Sequence, residues 1–298
     1  MMVDVDGFEL SNLPALRSPV VILSFTGWSD TGTVTTDTAQ RLVDAYGGRR
    51  FLSVDPEDYF VFTDTRPTVK LDESGIRKVE WPTNEVFAAH IPSADHDLVI
   101  VKGTEPNLKW RTFSTRLADI LAGLRPSLVC TLVARPAATP HTRPIPVSGS
   151  SADPDLAAKY GLGRSMYQGP TGVVGVLHDA LRERGASLVS LAAAVPHYLN
   201  VDENPPATRA LLRALEPMLG YAPPEGDLDS ESEQFLLRVE EASTGDDNIR
   251  SYVRTLEEQY GQPEAEPAGD GEEPKGELPS ADDILKGVED LLRENRDT

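Results

Sequence analysis

The residues with reactive side chains in this sequence gather where apolar runs stop. Gly27-Trp28-Ser29-Asp30 follows Val20-Val21-Ile22-Leu23-Ser24-Phe25, and Glu105 and Asn107 follow Asp97-Leu98-Val99-Ile100-Val101. Arg135, His141 and Arg143 follow the run 127–133, and His197 closes the run 187–195. Nucleophilic chemistry at Ser29 would need the Gly-x-Ser-x-Gly elbow. Gly27 stands two residues before Ser29, but Thr31 stands two after, and no motif ties a histidine to it. Capping of the next helix by Ser29 or Asp30 is the better reading.

Gly169-Pro170-Thr171-Gly172-Val173-Val174-Gly175 resembles a phosphate loop at first sight. No Gly-Lys-Ser/Thr follows, and the spacing is wrong for a dinucleotide fingerprint. What remains is a helix N-terminus, whose unpaired N–H groups suit an anion. The candidate ligand-binding set is therefore Gly27, Trp28, Asp30, Glu105, Asn107, His141, Arg143, Gly169, Thr171, Gly172 and His197. If the strand ends converge, these groups frame a pocket for a small anion or a peptide carboxylate.

Metal chemistry lacks its donors. His90, His96, His141, His178 and His197 have no paired ligand spacing, and Cys130 is the single cysteine. Asp227-Leu228-Asp229-Ser230-Glu231 imitates a calcium loop, but Ser232 stands where the sharp turn needs glycine. No cofactor, no metal and no catalytic residue is expected. Cys130 lies inside Leu128-Val129-Cys130-Thr131-Leu132-Val133, as a buried strand thiol would, and points to a reducing compartment.

The elements that must position these groups alternate in type. Strands are expected at 20–25, 50–54, 59–62, 97–101, 127–133 and 187–195, with a hairpin of runs 69–71 and 76–81 about Asp72-Glu73-Ser74-Gly75. Helical spacing appears in 34–46, 109–124, 171–181 and 206–219. The stretch 134–169 is expected to be a long irregular loop. This alternation predicts an α/β fold, a three-layer α/β/α sandwich with a mixed sheet. Residues 1–222 form the expected core and 223–260 a helical hairpin. Residues 261–298 form an acidic, largely disordered tail that ends in a helix over 280–294.

The net charge is −20, and its placement is uneven. Residues 223–298 hold 23 acidic and 7 basic side chains, a balance of −16, which leaves −4 for residues 1–222. With no basic stripe to offset this, nucleic acid is excluded as a partner. No apolar run is long enough to span a membrane. The acidic start Met1-Met2-Val3-Asp4 is unlike a secretory signal, so a cytoplasmic location is expected.

Several segments in this order resemble one family. They are Phe25-Thr26-Gly27-Trp28-Ser29-Asp30-Thr31-Gly32, Asp55-Pro56-Glu57-Asp58-Tyr59, Gly103-Thr104-Glu105-Pro106-Asn107 with Trp110 and Phe113, Pro140-His141-Thr142-Arg143-Pro144, Tyr167-Gln168-Gly169-Pro170-Thr171-Gly172 and Val195-Pro196-His197-Tyr198. Over about residues 19–260 the chain resembles the bacterial branch of the proteasome assembly chaperone family, type-two subunit group. The resemblance implies a sandwich similar to nucleoside phosphorylases and hydrolases, self-association, and protein partners such as proteasome subunits. Some relatives dock through a terminal hydrophobic-Tyr-any motif; here the sequence ends Arg296-Asp297-Thr298 and Tyr260 is internal. A protein-binding scaffold or assembly chaperone is the expected function. The alternatives are a phosphorylase- or hydrolase-like enzyme, or a small-anion sensor, built on the same strand-end loops.

Overall fold

The computed structural model describes residues 3–5, 7–11, 15–72, 74–199, 201–244 and 247–260. The sequence expectations for 261–279 and 280–294 lie outside the described residues. In chain order the elements are β1 (Val3–Val5), β2 (Phe8–Leu10), β3 (Val20–Thr26), α1 (Val34–Ala45), β4 (Arg49–Val54), β5 (Thr68–Leu71), β6 (Arg77–Glu80), β7 (Asn84–Ala89) and β8 (Leu98–Thr104). Then come α2 (Trp110–Gly123), β9 (Leu128–Ala137), β10 (Val147–Ser150), α3 (Pro154–Tyr160), α4 (Val173–Glu183), β11 (Leu188–Pro196), α5 (Pro205–Ala214), α6 (Glu216–Leu219), α7 (Leu228–Thr244) and α8 (Asp247–Gln259).

Among the described residues, nine strands form one mixed sheet in the order β1-β2-β4-β7-β8-β3-β9-β11-β10. The pairs β8–β3, β3–β9 and β9–β11 are parallel, and the outer pairs are antiparallel. Parallel strands covered on both faces read as unbroken apolar runs, and β3 is buried along Val20–Phe25. Alternate residues feed opposite cores, because side chains point to opposite faces with a period of two. Val20, Ile22, Ile100 and Cys130 pack with α1 and α5 through Leu42, Leu211 and Leu212. Val21, Leu23, Val99 and Val129 pack with α2 and α4 through Phe113, Leu117 and Leu177. Truncating a core leucine such as Leu23 to alanine costs about 2–5 kcal/mol. The structure is thus α/β with helices on both faces of the sheet.

Several elements differ from the sequence expectation. Tyr59–Phe62 is not a strand. A 3-10 turn at Pro56–Asp58, capped by Asp55, delivers Tyr59 and Phe60 into the core as loop residues. There Tyr59 meets Phe113 edge to face, with ring centroids 5.5 Å apart. Their apolar character is real, but it serves a plug and no ladder. The stretch 134–169 is not irregular throughout. It contains the end of β9, then β10, then α3, whose N-cap Asp153 accepts from the backbone nitrogens of Asp155 and Leu156. Val-Ser-Gly-Ser in β10 has no strand signal of its own and is held by antiparallel pairing to β11. The helix expected over 206–219 breaks at Leu215, since Pro217 lacks the N–H that would continue it.

Strands β5 and β6 make a separate two-stranded arm, exposed at every strand residue. Val69 lies opposite Val79, while Lys70 pairs with Glu80 and Lys78 with Asp72. At the other end of the chain, α7 and α8 bury Phe235, Val239, Ile249, Val253 and Leu256 against Tyr198 and Leu199. That apolar stripe therefore rests on the protein's own sheet end. Among the described residues, no helix is long and apolar enough to cross a membrane.

Candidate functional site

The predicted residues divide into two clusters and one outlier. The first cluster lies at the carboxyl ends of β3 and β8. Glu105 reaches across to two other loops: its Oε1 accepts from the Val173 backbone nitrogen at 2.6 Å, and its Oε2 from the Trp28 nitrogen at 3.2 Å. Val173 is the first residue of α4 and Gly172 its cap. A carboxylate there meets the unpaired N–H groups and the positive end of the helix dipole. The place open to an outside anion is taken by the chain's own Glu105.

Two glycines make room for it. A Cβ on Gly172 would stand 2.6 Å from Glu105 Oε1 and 3.4 Å from Trp28 Cβ. Gly27 has a φ of +113°, and a Cβ there would stand 3.0 Å from Glu105 Oε2. Gly169 and Thr171 lie on the same loop, which Tyr167 closes by donating its hydroxyl proton to the Pro170 carbonyl at 2.7 Å. Trp28, 61% exposed, projects beside this loop, and Met166 and Tyr167 are exposed with it.

Asp30 does the capping expected of it. Its Oδ1 accepts from the Thr35 nitrogen at 2.6 Å, and its Oδ2 from the Thr36 hydroxyl at 2.6 Å. Burial pushes the Asp30 carboxyl above its ordinary range, against the opposing pull of these threonine bonds. Asn107 is the outlier. Its Oδ1 accepts from the Val61 nitrogen at 2.9 Å and the Thr65 hydroxyl at 3.0 Å, so it braces the loop 59–65.

The second cluster forms where the loop after β9 meets α7 and α8. The Tyr198 hydroxyl oxygen accepts from the His141 backbone nitrogen at 2.7 Å and lies 2.7 Å from His141 Nδ1. The one hydroxyl thus ties down both the backbone and the ring of His141. The other ring nitrogen, Nε2, is buried without a hydrogen-bond partner. Glu240 Oε2 stands 3.9 Å from it, an ion-pair distance too long for a hydrogen bond. Burial lowers the His141 pKa, partly offset by Glu240 and Glu257. His197 is held by the Ala137 carbonyl at 3.0 Å and lies 3.1 Å from the Tyr252 hydroxyl. Arg143 and Thr142 both reach Glu257, at 3.7 and 2.6 Å.

His141, Arg143 and His197 thus meet each other by way of Tyr198, Tyr252 and Glu257. The cluster fastens α7 and α8 to the strand ends. Sequence reading did not single out Tyr252, Glu240 or Glu257. Tyr252 carried the available signal, because a tyrosine in an apolar stripe needs a partner for its hydroxyl. Among the described residues, no group of three metal-donor side chains comes together.

A PAC2 family protein of known structure from Streptomyces avermitilis is 39% identical over 79% of this chain and 99% of its own, with a TM-score of 0.72. A proteasome-assembly chaperone homologue from Mycobacterium tuberculosis is 35% identical over 78% and 99%, with a TM-score of 0.70. The archaeal proteasome activator PbaB of Pyrococcus furiosus, 20% identical over 78% and 98%, shares the fold with a TM-score of 0.63. No curated protein matches the chain. The PAC2 family model matches residues 24–243, a span that holds Glu105, Gly172 and most of the α7 helix, and this chain therefore belongs to the PAC2 family.

Proposed function

We propose that this protein is an assembly chaperone that binds proteasome subunits, working as a cytoplasmic homo-oligomer through the strand-end surface around Trp28. The Mycobacterium relative bears the chaperone name, and the resemblance extends over 99% of its length. One observation carries the reading. The acidic and imidazole groups at the strand ends are engaged in internal bonds: Glu105 on α4, Asp30 on α1, His141 on Tyr198. Beside them three large apolar side chains face outward, Trp28, Met166 and Tyr167, next to a loop braced from within. Rigid aromatic anchors on a braced surface are what a protein interface uses as hot spots.

The test mixes the purified full chain with cognate proteasome α- and β-subunits and follows ring assembly on native gels. Co-migration with a subunit and faster assembly are expected, with affinity lowered about tenfold or more by Trp28→Ala. Failure to associate with either subunit type overturns the proposal. Turnover of nucleosides with phosphate, or of esters, lost in Asp30→Ala, replaces it with the enzyme reading.

A further inference from the structure

The outer side of α7 borders a trough of about 1060 Å³, walled by α5 and the segment 141–147. Its floor is apolar, formed by Ile145, Val147, Ala210, Leu236 and Leu237. Leu237 is 64% exposed, although it sits in mid-helix between the buried Phe235 and Val239 and next to the half-buried Leu236. The lip carries Arg143, Arg209 and Arg213 against Glu233 and Glu240. Arg209 and Arg213 share Glu225, Arg209 also pairs with Asp229, and Arg143 faces Glu257, so the lip is ion-paired and the apolar floor is what stands uncovered.

The chain leaves α8 at the mouth of this trough. Tyr260 donates its hydroxyl proton to the carbonyl of Pro144, a trough residue, at 2.8 Å. After Tyr260 come 38 residues with 12 acidic and 4 basic side chains. The first 19 of them hold one large apolar residue, Leu278. A spacer of that length reaches roughly 25 Å. Beyond it Ile284, Leu285, Val288, Leu291 and Leu292 recur at the spacing of a single helical stripe.

We propose that residues 280–294 dock, stripe inward, into the trough between α5, α7 and the 141–147 segment of the same chain. Tethering decides the occupant. A short flexible linker gives an effective concentration in the mM range, which a second copy does not match in dilute solution. The docked segment covers Leu237, and the trough lining includes none of Trp28, Met166 and Tyr167, so the inference does not depend on the chaperone reading.

The experiment uses the full-length chain with Leu237→Cys and Val288→Cys introduced together. Cys130 is buried and stays silent. Mild oxidation at low protein concentration is followed by non-reducing gels and mass spectrometry. An intramolecular disulfide is expected to form at least tenfold faster than in the same pair carrying Ile284→Lys and Leu291→Lys, which keeps the tether and spoils the stripe. Equal rates in the two proteins overturn the proposal, because they report tether collisions alone. Disulfide-linked dimers as the main product also overturn it and assign the trough to a second copy. Both sites are at the surface or beyond α8, so thermal unfolding of the core serves as the folding control.

Discussion

Glu105 Oε1 lies 2.6 Å from the backbone nitrogen of Val173, so a residue just past the end of β8 supplies the negative charge at the start of α4. The same carboxylate holds Trp28 through its backbone. Three loops, distant in sequence, are thereby fixed around one side chain, and the exposed indole is presented on a braced support.

Replacing Glu105 with alanine should remove both bonds and leave the first turn of α4 uncapped. The expected loss is about 1.5–3 kcal/mol, the range for hydrogen bonds to a charged group. Glu105→Gln, which keeps an acceptor, should lose less. Gly172→Ala should resemble Glu105→Ala, because its Cβ would occupy the carboxylate's position. Urea midpoints of the three variants check the order.

Asp97 should govern the acid limb of stability. Burial alone would raise its carboxyl, but the hydrogen bonds from the Arg17 side chain and backbone and from the Ile91 nitrogen outweigh burial, and they hold it far below the usual carboxylate range. Its folded pKa is depressed, so its contribution is complete above about pH 3.9, the unfolded value, and is lost as pH falls below that. Asp97→Asn should cost about 2–3 kcal/mol at neutral pH and flatten the acid limb. Denaturant titrations between pH 2 and 7 measure both.

His141 should act in a higher pH window. Burial lowers its folded pKa below the ordinary histidine value. Between those two values the unfolded chain binds more protons, so stability rises with pH there and is complete above about pH 6.5. His141→Gln should reduce that slope, and α7 and α8 should show the change first, in amide exchange. His178 shifts the same way through burial and leaves a residual slope.

Cys130 should be inert to thiol reagents in the native protein. Burial pushes its thiol up to about 12, and none of its surface is exposed. Ellman titration should read no thiol before denaturation and one after. A fast native reaction would mean that β9 opens readily.

The sheet centre was legible because β3, β8, β9 and β11 are buried on both faces and so read as continuous apolar runs. The edges were not. Asn84–Ala89 opens with a buried asparagine facing Gly103, a contact that only the folded partner strand explains. The capping role of Asp30 followed from its place after β3, since a short carboxylate before a helix has few other partners. The partnership of Glu105 with Val173 did not, because 68 residues separate them and nothing local signals the pairing. The same holds for His141 and Tyr198, 57 residues apart.

The arm of β5 and β6 is inserted between β4 and β7, which pair directly with each other in the main sheet. A cut in the arm's turn at Ser74-Gly75 would therefore leave two fragments whose strands remain zipped side by side. The nicked protein should elute as one species and separate only on unfolding, and that turn is a natural place to splice in a tag or reporter.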